Sequence, residues 1–328
     1  MIAKWLVAAL AALFAQSASA DTVKITIPNY GANFAPVMIA EDKGYFKDEG
    51  LDVQVVVSGG GTATAALISG DIQYSSSPAS AMSAILKGAP LKVTLVGQVR
   101  PNYQIWSFDP TVTKVEDLKG KSLAVISRGD SQEMSARLFL KSRGFSNDDV
   151  GFNPLGPGPA RLAAMTNGAQ RFGVLLRPDI AQLKQMGMLE KGTMIADLTK
   201  LVEMQMSGIV TSEKEVTANR DRAIKMTRAI RKGQTYMRSF PAESVEIVHK
   251  RIPNISPAAI RDDLDGSVED QNVAGSMSLT AAGKELALRG ELLGMAPDKI
   301  MPAEKVYDFS VVADADRALQ SAGWKPVK

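Results

Sequence analysis

Strand-like and helix-like segments alternate from Val23 to Thr211, and the alternation runs its course twice. Val23-Lys24-Ile25-Thr26-Ile27 alternates apolar and polar residues, as a strand does. A helix is then expected over 35–42, a strand over 51–57, a helix over 62–68 stopped by Gly70, and a short strand over 72–75. Ser77-Pro78 opens a helix to Leu86, and 91–99 reads as a strand. Strand and helix in succession dictate a parallel sheet with crossover helices. The pattern restarts with strands over 121–126, 151–153 and 172–176 and helices over 130–142, 159–167 and 178–186. Further strands are expected over 194–198 and 206–211. Beyond Thr211, the segments 220–240, 244–250, 256–264, 280–293 and 310–319 read as helices that clad these units rather than form a third one. The expected class is α/β, with two lobes that are each a mixed, mainly parallel sheet flanked by helices.

The N-terminus makes an independent statement. Met1 to Lys4 carries one positive charge, Trp5 to Phe14 is an apolar run, and Ala18-Ser19-Ala20 offers small residues before Asp21. This is the layout of a cleaved signal peptide over residues 1–20, cut after Ala20. The apolar run is shorter than the about 20 residues a membrane-spanning helix needs. A soluble, exported, monomeric protein is expected, not one embedded in a membrane. The chain has no cysteine, so thiol nucleophiles, thiolate metal sites and a lipid anchor on cysteine are excluded. Net charge is +3, and removing Lys4 with the leader leaves about +2, too small and too dispersed for nucleic-acid binding.

The segment Lys43-Gly44-Tyr45-Phe46-Lys47-Asp48-Glu49-Gly50-Leu51-Asp52-Val53 resembles a signature of ABC-transporter solute-binding proteins. The resemblance is to the class that serves nitrate, taurine, aliphatic sulfonates and thiamine precursors. Four further segments match in order: Gly59-Gly60-Gly61-Thr62, Ala66-Leu67-Ile68-Ser69-Gly70-Asp71-Ile72, Lys87-Gly88-Ala89-Pro90-Leu91-Lys92-Val93, and Leu118-Lys119-Gly120-Lys121-Ser122-Leu123-Ala124-Val125. The resemblance implies the two-lobed periplasmic-binding-protein fold, type II-like, with solute held between the lobes. It implies a periplasmic location, an ABC permease with its ATPase as partner, and no cofactor. It also implies two crossings, placed near Pro101–Gln104 and Gln205–Ser207. One lobe would hold 21–104 plus 207–328, and the other 105–206.

In open α/β sheets, ligands sit off the carboxyl ends of strands, against helix N-termini whose unpaired N–H groups favour an anion. Four such ends supply the candidate site. Asn29, Tyr30, Asn33 and Phe34 follow the first strand, where a plain turn with a packed aromatic is the alternative. Gly60, Gly61 and Thr62 follow the second; the glycines let backbone approach a ligand and Thr62 can cap the helix. No Gly-Lys-Ser/Thr follows, so this is not a phosphate loop. Ser76, Ser77 and Ser80 offer more hydroxyls than capping requires. In the second unit Arg128 can pair an anion, with Ser131 beside it, unless Asp130 caps the helix and holds Arg128. Arg177 and Arg100 lie at further strand ends, where a solvated role is the alternative. Tyr103 and Trp106 add to Tyr30 and Phe34 as aromatic contacts. The expected ligand is a small organic anion, a sulfonate or carboxylate, with an aromatic ligand also accommodated.

Catalysis is disfavoured. His249 is the only histidine and lies in an expected helix, and no Gly-x-Ser-x-Gly elbow is present. A thiamine-pyrimidine synthase branch resembles these proteins but uses a histidine and a cysteine cluster. An exported ligand-binding partner of a sensor remains a second class, which sequence does not separate from a transporter partner.

Overall fold

The computed structural model describes residues 22–156 and 159–327. The expected leader lies outside the described residues, as do Pro157 and Gly158. The first unit runs β1 (Val23–Ile27), α1 (Ala35–Asp42), α2 (Tyr45–Asp48), β2 (Val53–Val57), α3 (Gly60–Ser69), β3 (Tyr74–Ser75), α4 (Pro78–Leu86) and β4 (Leu91–Val96). The second runs β5 (Tyr103–Ser107), β6 (Ser122–Val125), α5 (Ser131–Ser142), β7 (Gly151–Pro154), α6 (Pro159–Thr166), β8 (Phe172–Leu176), α7 (Arg177–Gln185) and β9 (Thr193–Asp197). Then follow β10 (Gly208–Ser212), α8 (Glu213–Ala218), α9 (Arg220–Ser239), α10 (Pro241–His249), α11 (Pro257–Glu269), α12 (Leu279–Leu292), α13 (Ala303–Val306) and α14 (Ser310–Ser321). Among the described residues no helix is long and apolar enough to cross a membrane.

The strands form two five-stranded sheets, ordered β2-β1-β3-β10-β4 and β7-β6-β8-β5-β9. β1 pairs in parallel with β2 and β3, and β6 does so with β7 and β8. Each sheet also takes in one antiparallel strand, and that strand is the first after the chain has crossed over. β10 sits between β3 and β4, and β5 between β8 and β9. The strand β5 was not expected, although Tyr103, Ile105 and Ser107 are buried in the period of two that a strand shows.

The two crossing segments run side by side. Gly97 N donates to the Ser207 carbonyl at 2.7 Å, and Met206 N and Met204 N donate to the Gln98 and Val99 carbonyls, each at 2.9 Å. They form a short antiparallel ribbon between the sheets. Helix α12 braces it. Its Ala282 and Leu286 pack in the core of the first sheet, and its Leu288 in that of the second.

The signature segment is structural. Gly44 (φ 73°) and Gly50 (φ 72°) take the left-handed conformation that ends one helix and reverses the chain after the next. Tyr45, Phe46 and Leu51 enter the core. The Glu49 side chain is 2% exposed and pairs with Arg228 and Lys232 of α9. The Lys232 ammonium lies 5.8 Å from the Trp324 ring and 5.9 Å from the Tyr45 ring, so the C-terminal segment joins the same cluster. Nearby, α9 approaches α1 so closely that a Cβ on Gly233 would overlap the Pro36 carbonyl oxygen.

Gly233→Ala is therefore expected to destabilise the protein by about 1–3 kcal/mol, despite the better helix propensity of alanine. An unchanged denaturation midpoint would contradict this packing. Glu49→Gln leaves two cations in a largely buried site without their counter-charge, at a cost of about 3 kcal/mol. Solute affinity of the folded variant should match wild type; a loss of affinity with unchanged stability would place Glu49 in the site instead.

Candidate functional site

In both sheets the strand order reverses direction beside the first parallel strand, at β1/β3 and at β6/β8. Such a switch point opens a crevice at the carboxyl ends of the strands. Here the two crevices face each other across one cavity of about 630 Å³. That volume suits a small molecule. Asn102, Tyr103 and Met206, from the ends of the crossing ribbon and β5, also line it.

The first-sheet wall brings together Asn29, Asn33, Phe34, Gly60, Gly61, Ser77 and Ser80. Helix α3 starts after Gly59 and α4 after Ser77, and neither start has a side-chain cap. Pro78 at the first position of α4 has no N–H to offer, while Ala79 and Ser80 follow it into the cavity wall. Both helix ends therefore direct uncapped N-termini, with their partial positive charge, at the same space.

The second-sheet wall has the opposite character. Asp130 caps α5, its carboxylate accepting from Glu133 N and from Ser127 N, each at 2.9 Å. Glu133 accepts from Gly129 N at 2.9 Å, and Gln132 Oε1 from Ile126 N at 2.8 Å. The amides of Ile126, Ser127, Gly129 and Glu133 are thus engaged by the protein itself. Arg128 lines the cavity and is largely exposed, with its guanidinium 3.8 Å from Glu133 rather than paired to Asp130. Burial pushes the Asp130 carboxyl up, against the backbone hydrogen bonds that favour its charge. Tyr103 is buried, its hydroxyl 2.7 Å from Ser131 Oγ, and desolvation raises its pKa.

Six expected contacts lie outside this lining. Tyr30 packs against the core of the first sheet. Thr62 is exposed and does not cap, because α3 begins two residues before it. Ser76 is 2% exposed and faces a separate cavity of about 20 Å³ behind Asn33 and Phe34. Arg177 opens α7 but turns to α11, pairing with Asp270 at 3.1 Å. It lies over Gly266, where a Cβ would overlap the guanidinium. Arg100 is exposed outside the lining. Trp106 also lies outside it, donating to Gln104 Oε1 at 2.9 Å and stacking on Phe108. Of the four expected aromatics, only Phe34 and Tyr103 reach the cavity.

Sequence reasoning missed Asn102, Gln132 and Asp263, which line the cavity. It also missed Arg161, fully buried behind the wall, which donates to Gln132 Oε1 at 3.0 Å and pairs with Asp179. Gln132 sits in the first turn of a helix at a strand end, a position that points to the cleft. Arg161 and Asp263 lie within helices of ordinary polarity and give no such local signal. His249 lies in α10, outside the lining. Among the described residues no cluster of histidine and carboxylate side chains could hold a metal.

Known proteins share this architecture. A structure from Bordetella bronchiseptica RB50 superimposes with a TM-score of 0.73 at 23% identity, over 92% of this chain and 98% of its own. The periplasmic aliphatic sulphonate binding protein SsuA of Escherichia coli gives 0.71 at 18% identity, over 88% and 93%. The periplasmic nitrate-binding protein NrtA of Synechocystis PCC 6803 gives 0.70 at 18% identity, over 92% and 90%. The fold is thus that of periplasmic binding proteins. The sequence model described as NMT1/THI5 like matches residues 31–244. The chain belongs to the NMT1/THI5-like family.

Proposed function

We propose that this protein is an exported solute-binding protein that captures a small organic anion between its lobes and delivers it to an ABC importer. The observation that carries the anion is the convergence of two uncapped helix N-termini, α3 and α4, on one cavity. Structural neighbours named for sulphonate and nitrate binding support it. Export rests on the leader-like residues 1–20 and the periplasmic location of those neighbours. Binding rather than catalysis is supported by the absence of cysteine and by the position of His249.

In this reading residues 21–104 with 207–328 form one lobe and 105–206 the other, and the ribbon of Gln98, Val99, Met204 and Met206 is the hinge. Solute contacts from both walls favour the closed form, which a permease then recognises. The ligand-contact set is Asn29, Asn33, Phe34, Gly60, Gly61, Ser77, Ser80, Asn102, Tyr103 and Ser131, with Arg128 at the rim.

Calorimetric titration of the mature protein with organic sulfonates, carboxylates and nitrate tests the reading. At least one organic anion should bind, and Gly61→Asp should weaken it by roughly tenfold or more, since it sets a carboxylate at the end of α3. The aspartate meets open space there, so the fold should persist. Binding of neutral or cationic compounds alone, or an undiminished affinity in Gly61→Asp, would overturn it.

A further inference from the structure

The ionisable side chains along the cavity are not equally occupied. Arg128 is offset by Glu133, and both oxygens of Asp130 are taken by backbone N–H groups. Asp263 is different. It sits on α11, lines the cavity, and its one hydrogen bond among the described residues is a 3.3 Å contact from Ala32 N. Asp263, Gly266 and Asp270 fall three, four and seven residues apart, so they lie on one face of the helix. Arg177 lies across that face at Gly266 and is drawn to Asp270, and Asp263 forms no ion pair among the described residues. Desolvation raises the pKa of the Asp263 carboxyl, against the Ala32 hydrogen bond and the charge of Arg177. A half-buried carboxylate with a single long hydrogen bond is poorly compensated.

A second acceptor shares the cavity. Asn102 Oδ1 is buried and has no hydrogen-bond partner among the described residues. Two under-used acceptors in one cavity call for a ligand with hydrogen-bond donors, and the ionisable one calls for positive charge.

We propose that Asp263 receives a cationic nitrogen of the solute, so that the ligand is a zwitterion: an amino-sulfonate or amino-carboxylate rather than a simple alkyl anion. This rests on the anion-binding reading above and adds a selectivity that reading does not contain. Asn102 accepts a further N–H or O–H of the same ligand.

The experiment is a calorimetric comparison of matched ligands: ω-amino sulfonates and carboxylates of increasing chain length, each beside its ω-hydroxy counterpart. For at least one pair the amino form should bind wild type about tenfold more tightly or better. In Asp263→Asn, which keeps the side-chain shape, that ratio should collapse toward one. Thermal melts of both proteins establish that the variant is folded. If wild type binds amino and hydroxy forms alike, the zwitterion proposal is overturned while the anion reading stands. A ratio that persists in Asp263→Asn overturns the role of Asp263. If no member of any pair binds, the zwitterion proposal is overturned, while the anion reading falls only if the simple sulfonates, carboxylates and nitrate also fail to bind.

Discussion

Each sheet is completed by a strand that arrives from the other one. β5 enters between β8 and β9, and β10 between β3 and β4, both antiparallel and both internal. An internal strand cannot leave without unpairing two neighbours, so each crossing is anchored firmly at its far end. The flexible length between the sheets is then only the short ribbon in which Gln98 and Val99 pair with Met206 and Met204. Everything functional depends on this. The ribbon holds the two switch-point crevices mouth to mouth, and it places Asn102, Tyr103 and Met206 at the cavity. Helix α12 adds a brace, with Arg289 donating to the Gly129 carbonyl across the gap at 3.2 Å.

The two walls divide the chemistry of recognition. The first-sheet wall offers unengaged helix ends at Gly60, Gly61 and Ala79. The second-sheet wall has turned its own amides inward, through Asp130, Gln132 and Glu133, and is stiffened from behind by the buried Arg161. A wall whose turn amides are already engaged costs less to bring against a ligand, because fewer of its polar groups must be desolvated without a partner. Among the described residues the under-used polar groups of the cavity include Asp263, Asn102 and the ends of α3 and α4, and in the proposed reading the solute answers them.

Much of this was legible in sequence because it is local. The strands Val23–Ile27 and Phe172–Leu176 have the bounds their patterns imply, and Gly70 ends α3 in the left-handed conformation expected of it. Gly60, Gly61, Ser77 and Asp130 fall where strand-end logic puts them. What was missed is long-range. Pro101–Gln104 reads as a crossing until the distant partners of Tyr103–Ser107, on β8 and β9, show that a central strand begins at Tyr103. Arg177 points to the cleft by position, but Asp270 and the gap over Gly266, contributed by a distant helix, redirect it. Asp263 meets Ala32 across 231 residues, and no local pattern encodes that contact. The segment around Glu49 anchors α2 to α9 and lies outside the cavity lining.

Capture between two hinged lobes is the central claim, and the absence of cysteine makes it directly measurable. Ile68 on α3 of the first unit and Met186 just beyond α7 of the second are both about half exposed. With spin labels on Ile68→Cys and Met186→Cys, pulsed electron resonance reads the distance between the lobes. Saturating with a ligand verified by calorimetry should shorten and narrow that distance distribution. A distribution unchanged by bound ligand would contradict the account.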